Sequence, residues 1–222
     1  MTEKKEADMK KTVSLILAIV LFFSLTACKS TPDDDFYKEY PTGDEIVTIE
    51  IERNPEATLK LSDGSQIVIE LYYNAAPNAV ANFIAFAEEK VYNTMCFSEV
   101  RNGCILMTGY QTPDASAPYY VQDEIQDKND VKLTHERGVV SMIRTSDSDT
   151  LTGQFFILTK NQKHFDNTFT AFGKVTEGMD VVDSLVTAEN TDGVFAAPVT
   201  IRSVSINTFG QDFPLPTIIP KN

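Results

Sequence analysis

The chain has 222 residues, 42% of them hydrophobic and 23% charged, with a formal net charge of −13. That length accommodates a processed N-terminus and about one domain, whose core needs no metal or disulfide staple. The acidic excess repels nucleic acid and anionic lipid headgroups and argues against both as partners.

Residues 9–28 read MKKTVSLILAIVLFFSLTAC. Lys10 and Lys11 give a basic start, and the apolar run from Val13 to Leu25 is shorter than the ~20 residues of a spanning helix. This is the pattern of a secretory signal over residues 1–27, with Met9 as a second candidate start. The ending Leu25-Thr26-Ala27-Cys28 resembles the bacterial lipoprotein signal. The resemblance implies cleavage before Cys28, acylation of that residue and an extracytoplasmic, lipid-anchored protein on the periplasmic face or the cell surface. An ordinary signal with an incidental cysteine is the competing reading. Residues 28–45 then form an acidic tether, with STPDDD at 30–35.

Residues 46–52 (IVTIEIE) alternate and are rich in β-branched side chains, which predicts a strand. Residues 57–72 read as a hairpin turning at Ser62-Asp63-Gly64. Apolar residues at Val80, Phe83, Ile84 and Phe86 lie on one face of a helix over 78–89, with Pro77 suited to its first turn. Short strands are predicted at 95–101, 104–108, 138–143, 154–159 and 169–175, a second helix at 178–187 and a last strand at 198–207. Many short strands with turn signals and few helices indicate a closed barrel or a sandwich spanning 46–208. Residues 209–222 contain three prolines and read as an irregular tail. Residues 123–130 (DEIQDKND) read as a solvated loop.

Three cysteines are present: Cys28, Cys96 and Cys104. No Cys/His spacing suggests a metal site, and no cofactor is expected. Strand pairing symmetric about residue 102 sets Cys96 against Thr108 and Val100 against Cys104, which keeps the thiols apart. A disulfide formed in an oxidising compartment is the alternative.

Local strings go beyond periodicity. Residues 138–158 (GVVSMIRTSDSDTLTGQFFIL), 165–179 (FDNTFTAFGKVTEGM) and 67–86 (IVIELYYNAAPNAVANFIAF) resemble the cyclophilin family of peptidyl-prolyl isomerases. The bacterial branch carries G-x-x-S/A-M-A-R-T, then S-Q-F-F-I, then L-D-x-x-x-x-x-F-G-x-V-x-x-G-M. The resemblance covers about residues 46–207. It implies a mainly β fold: a closed eight-stranded antiparallel barrel capped by two α-helices, with a peptide groove on the outside of one sheet. It also implies proline-containing peptides or unfolded exported proteins as partners, to a monomeric protein.

Isomerisation needs no nucleophile. Rotation about an amide costs about 18–20 kcal/mol because it breaks C–N resonance, and X–Pro bonds exchange isomers over tens to hundreds of seconds. A catalyst holds the ring, frees the preceding carbonyl and favours the twisted amide. In the family an arginine in the string F-H-R-V/I-I donates hydrogen bonds to that state. Here the string is Phe97-Ser98-Glu99-Val100-Arg101, which puts Glu99 at the arginine position. An ionised carboxylate only accepts hydrogen bonds. Arg101 lies two residues on, on the same strand face, and is the candidate substitute donor; a rim ion pair of little consequence is the alternative.

Further departures are Met107 at a backbone-gripping glutamine, Cys104 at a pocket phenylalanine and Ile143 at a small alanine. By the same resemblance, Gln154 grips the peptide backbone and Phe156, Phe165 and Ile105 line the proline pocket. His164 falls at the family's variable tryptophan and is either a groove ring or a surface residue; with His135 the only other histidine, no metal set is expected. Phe155 and Phe172 read as core. These residues suggest either a weak isomerase assisting the folding of exported proteins or a non-catalytic lipoprotein that captures proline-containing segments.

Overall fold

The computed structural model describes residues 39–111, 117–125, 133–145 and 150–220. The signal sequence and the Cys28 site lie outside the described residues. Strands β1 (Glu56–Leu61) and β2 (Gln66–Leu71) form the predicted hairpin. Ala57, Leu59 and Leu61 of β1 and Ile67, Ile69 and Leu71 of β2 alternate inward and are all buried, Ala57 facing Ile69 and Leu59 facing Ile67. Asp63 closes the turn by accepting from the Ser65 amide (2.9 Å) and hydroxyl (2.6 Å).

The remaining strands are β3 (Met95–Arg101), β4 (Ile105–Tyr110), β5 (Val121–Gln122), β6 (Val139–Arg144), β7 (Thr150–Leu158), β8 (Ala171–Glu177), β9 (Asn190–Thr191) and β10 (Val194–Asn207). Eight of them close a ring in the order β1-β2-β8-β6-β7-β4-β3-β10, and β10 returns to pair with β1. Every neighbouring pair in the ring is antiparallel. Closure removes the free edges that an open sheet exposes. The short β5 and β9 attach to β7 and β10.

Helix α1 (Pro77–Glu88) and helix α2 (Met179–Val186) complete the fold. The rings of Phe83, Phe86, Tyr92, Phe155 and Phe172 pack at 4.7–5.7 Å between centroids beneath α1. Phe155 and Phe172 are core residues, as their alternation predicts.

Several expectations change. Residues 46–52 form no strand: β1 already pairs with β2 on one side and β10 on the other, so the barrel has no edge to offer them. Ile49 and Ile51 instead pack, partly buried, against the core. Helix α1 is buried on nearly all sides rather than one, because the C-terminal tail covers it. Asn78 donates to the Thr217 carbonyl (3.0 Å) and accepts from the Thr217 amide (2.8 Å). The tail also bridges to Thr42 and Tyr120 through Ile218 and Ile219.

Glu124, expected in a solvated loop, is buried. Its carboxylate accepts from the amides of Asn78 (3.0 Å) and Ala79 (2.7 Å), satisfying the first turn of α1 where Ala76 offers no side-chain cap. Burial outweighs these bonds and lifts its pKa to about 7. Residues 126–130 lie outside the described residues.

The β3–β4 register also differs. A left-handed Asn102-Gly103 pair turns the chain, so Arg101 faces Ile105 and Cys96 faces Gly109. An irregularity between Phe97 and Glu99 absorbs the slip. Both Cys96 and Cys104 are buried free thiols.

Candidate active site

Four neighbouring strands, β3, β4, β7 and β6, bring one row of residues into register. Glu99 faces Met107, Met107 faces Phe156, and Phe156 faces Ser141. The adjoining row runs Arg101, Ile105, Leu158. These positions alternate with Val100, Leu106 and Ile157, which belong to the main core, so the two rows occupy the opposite, outer face.

On that outer face Cys104, Ile105, Phe156 and Leu158 form a second apolar cluster, separate from the core. Met107, Ile143, Phe165 and Phe169 pack around it partly buried. Phe156 meets Phe165 at 5.8 Å and Phe169 at 5.3 Å, both nearly edge-on. The structure therefore brings together Ile105, Met107, Ile143, Phe156 and Phe165. His164 is exposed, its ring 4.5 Å from that of Phe165.

The polar half lies beside this cluster. The β4–β7 ladder runs to Met107–Phe156, after which the Thr108 hydroxyl takes over, donating to the Phe155 carbonyl (2.8 Å) and accepting its amide (2.9 Å). Gln154 donates to the Thr108 carbonyl (3.2 Å) and accepts from Thr152 (3.4 Å). Gly109 leaves room here: a Cβ would sit 2.6 Å from the Ser98 hydroxyl oxygen.

Glu99 and Arg101 grip each other, with Nε to Oε1 at 2.5 Å and Nη2 to Oε2 at 3.2 Å. Arg101 is 59% exposed and Glu99 30%. The guanidinium thus stands on the outer face, with its donors shared with a carboxylate.

Sequence reasoning missed three contributors. Phe169 is not in a strand, as predicted, but in the loop before β8, where it stacks on Phe165 at 4.8 Å. Gln162 donates to the Cys104 thiol (3.0 Å) beneath the pocket. His135, 1% exposed, meets Asp166 and Ser141, each at 2.9 Å. The aromatic pair Phe165/Phe169, four residues apart, was the available signal for the first; nothing local marks the other two.

A closed eight-stranded antiparallel barrel with two helices defines the cyclophilin class of fold. Solved structures agree: a cyclophilin-type peptidyl-prolyl cis-trans isomerase from Cryptosporidium parvum superposes with a TM-score of 0.61 at 21% identity, covering 69% of this chain and 98% of that one. The same parasite protein, solved in the presence of the dipeptide Ala-Pro, gives 0.60 at 22% identity, covering 68% and 98%.

The family model "Cyclophilin type peptidyl-prolyl cis-trans isomerase/CLD" matches residues 57–206. A peptidyl-prolyl cis-trans isomerase of Helicobacter pylori (strain ATCC 700392 / 26695) is 34% identical over 145 residues, 64% of this chain and 86% of that protein. Peptidyl-prolyl cis-trans isomerase B of Bacillus subtilis (strain 168) is 35% identical over 127 residues, covering 56% and 86%. The chain belongs to the cyclophilin-type peptidyl-prolyl cis-trans isomerase family.

Proposed function

We propose that this protein is a slow peptidyl-prolyl cis-trans isomerase, lipid-anchored outside the cytoplasm, that assists the folding of exported proteins. The observation that carries the enzymatic part is the aligned row Glu99–Met107–Phe156–Ser141, flanked by Gln154 and Phe165. Phe156, Phe165, Ile105 and Ile143 offer an apolar slot for the proline ring, and Gln154 offers an amide for the neighbouring peptide backbone. No covalent step is required; the ring is held while the preceding carbonyl turns.

Favouring the twisted amide requires a donor aimed at it. Arg101 is the donor in reach of this face, and Glu99 fixes its direction while competing for its hydrogen bonds. A donor shared in this way gives less transition-state stabilisation than a free one. Loss of one preorganised donor typically costs about 10²–10³ in rate, which bounds the deficit of a shared one from above.

A second reading is favoured by the same pair: with Arg101 fully committed to Glu99, the groove binds proline segments without useful catalysis. The rate of X–Pro isomerisation separates the two, because peptide binding is common to both.

The N-terminal pattern completes the proposal. Residues 1–27 are a signal removed on export, Cys28 carries the lipid, residues through 45 form the tether, residues 46–208 the isomerase domain and residues 209–222 the tail. The protein acts as a monomer and meets the membrane through its lipid alone.

A further inference from the structure

The pocket wall formed by Phe165 and Phe169 belongs to no strand. It is carried by residues 162–169, a short helical turn at Lys163–Phe165 followed by Asn167 in the left-handed region. Such a segment lacks a ladder to hold it, so its position depends on individual bonds. His135 supplies three of the bonds that tie it to the rest of the barrel. Its amide donates to Asp166 Oδ1 (2.8 Å), and its ring Nδ1 meets the same oxygen (2.9 Å). Its carbonyl accepts from the Gln162 amide (2.7 Å). Its ring stands edge-on to Phe165 at 5.9 Å.

On its other side, His135 Nε2 lies 2.9 Å from the Ser141 hydroxyl in β6. Burial lowers the imidazole pKa, so the ring is neutral. Partial burial of Asp166 is outweighed by bonds from the His135 amide and ring, so its carboxyl stays ionised. The consistent arrangement has Nδ1–H donating to Asp166 and Ser141 O–H donating to Nε2. An imidazole locked between a strand and a loop transmits the position of β6 to the pocket wall. Arg144 Nη1 adds one further tie, to the Thr168 carbonyl (3.1 Å).

We infer that His135 is a positioning residue: by clamping Asp166 it fixes Phe165 as the wall of the pocket. The role in binding rests on the proposed proline groove; the clamp itself does not. A fixed wall contributes equally to the ground and transition states, so its loss raises KM and leaves kcat nearly unchanged.

Two conservative variants of the full chain separate clamping from general stability. In His135→Asn the amide nitrogen falls near Nδ1 and keeps the Asp166 bond. In His135→Gln it falls near Nε2 and keeps only the Ser141 side. Amide hydrogen exchange at Phe165, Asp166, Thr168 and Phe169 is read without ligand, and affinity for a short X–Pro peptide is read by NMR titration. The expected result is exchange at least tenfold faster at these four amides in His135→Gln, with Val140 and Ile157 still protected. Peptide affinity falls about fivefold to tenfold, the order of one lost aromatic contact. His135→Asn stays near wild type in both. Should His135→Gln not fold, Asp166→Ala removes the ring bond from the exposed side, together with the bond from the His135 amide, and is expected to speed exchange at least as much. Equal behaviour of Asn and Gln variants, or unchanged exchange in both His135→Gln and Asp166→Ala, overturns the clamp. Faster exchange with unchanged affinity overturns its role in the pocket. Failure of the wild type to bind the peptide overturns the groove reading, and with it the binding role, through the wild-type arm alone.

Discussion

Glu99 and Arg101 form a two-pronged ion pair along β3, on the outer face of the barrel and in register with Met107 and Ile105 of β4. The carboxylate therefore stands where the family's resemblance expects a cation, and the nearest guanidinium is turned toward it. Competition between Glu99 and a substrate carbonyl for the Arg101 donors sets the expected activity.

Replacing Arg101 by alanine tests the proposed donor. The residual isomerase rate is expected to fall at least tenfold, while thermal stability changes by no more than about 0.5 kcal/mol, because both partners are substantially exposed. A protease-independent NMR exchange assay on an X–Pro peptide, alongside a melting curve, checks both numbers.

Glu99→Arg restores a cation at the head of the row. It is expected to raise kcat/KM by about ten- to a hundredfold, with most of the gain in kcat because the new bonds form to the twisted amide. A gain confined to KM would mean that the new side chain binds substrate without favouring rotation.

Much of the barrel was legible in the sequence where its strands alternate: β1 and β2 follow from spacing alone, as does the helix after Pro77. The failures share a cause. Residues 46–52 have a strand's pattern, but the ring closes through β1 and β10 and leaves them no partner. Glu124 reads as loop until the fold carries it to the N-terminus of α1, 45 residues away. The outer apolar cluster could be read from Phe156 and Phe165, whereas His135 and Gln162 join it through contacts 31 and 58 residues distant in sequence.

Phe156→Ala empties the centre of the outer cluster, where the ring is 2% exposed. A stability loss of about 3 kcal/mol is expected, together with a tenfold or larger loss of peptide affinity. Phe165→Ala, at a partly buried position, is expected to lose similar affinity with a smaller stability cost. Denaturant unfolding and peptide titration on the same samples distinguish the two.

Glu124 gives the fold a pH dependence of defined sign. Its pKa rises from an ordinary 4.5 to about 7 on folding, so the folded state binds the proton more tightly than the unfolded chain. Its contribution is fully present below about pH 4.5 and is lost as pH rises through 7, a decline of about 3 kcal/mol. Glu124→Gln cannot ionise and is expected to flatten this part of the stability profile. Urea unfolding of both proteins between pH 4 and pH 8 measures the difference.

Cys28→Ala tests the anchor. The variant is expected to lose the mass of the acyl chains and to move from the membrane fraction to the soluble one. Retention in the membrane with an unmodified N-terminus would remove lipid from the proposal.

The most direct test of the central claim is the cis-to-trans rate of a short X–Pro peptide catalysed by the purified wild-type protein, measured beside Glu99→Arg. A slow groove predicts a rate above the uncatalysed one and about ten- to a hundredfold below that of the variant. A wild-type rate equal to the uncatalysed one, in folded protein that still binds the peptide, would contradict it and leave a proline-peptide-binding protein without catalysis.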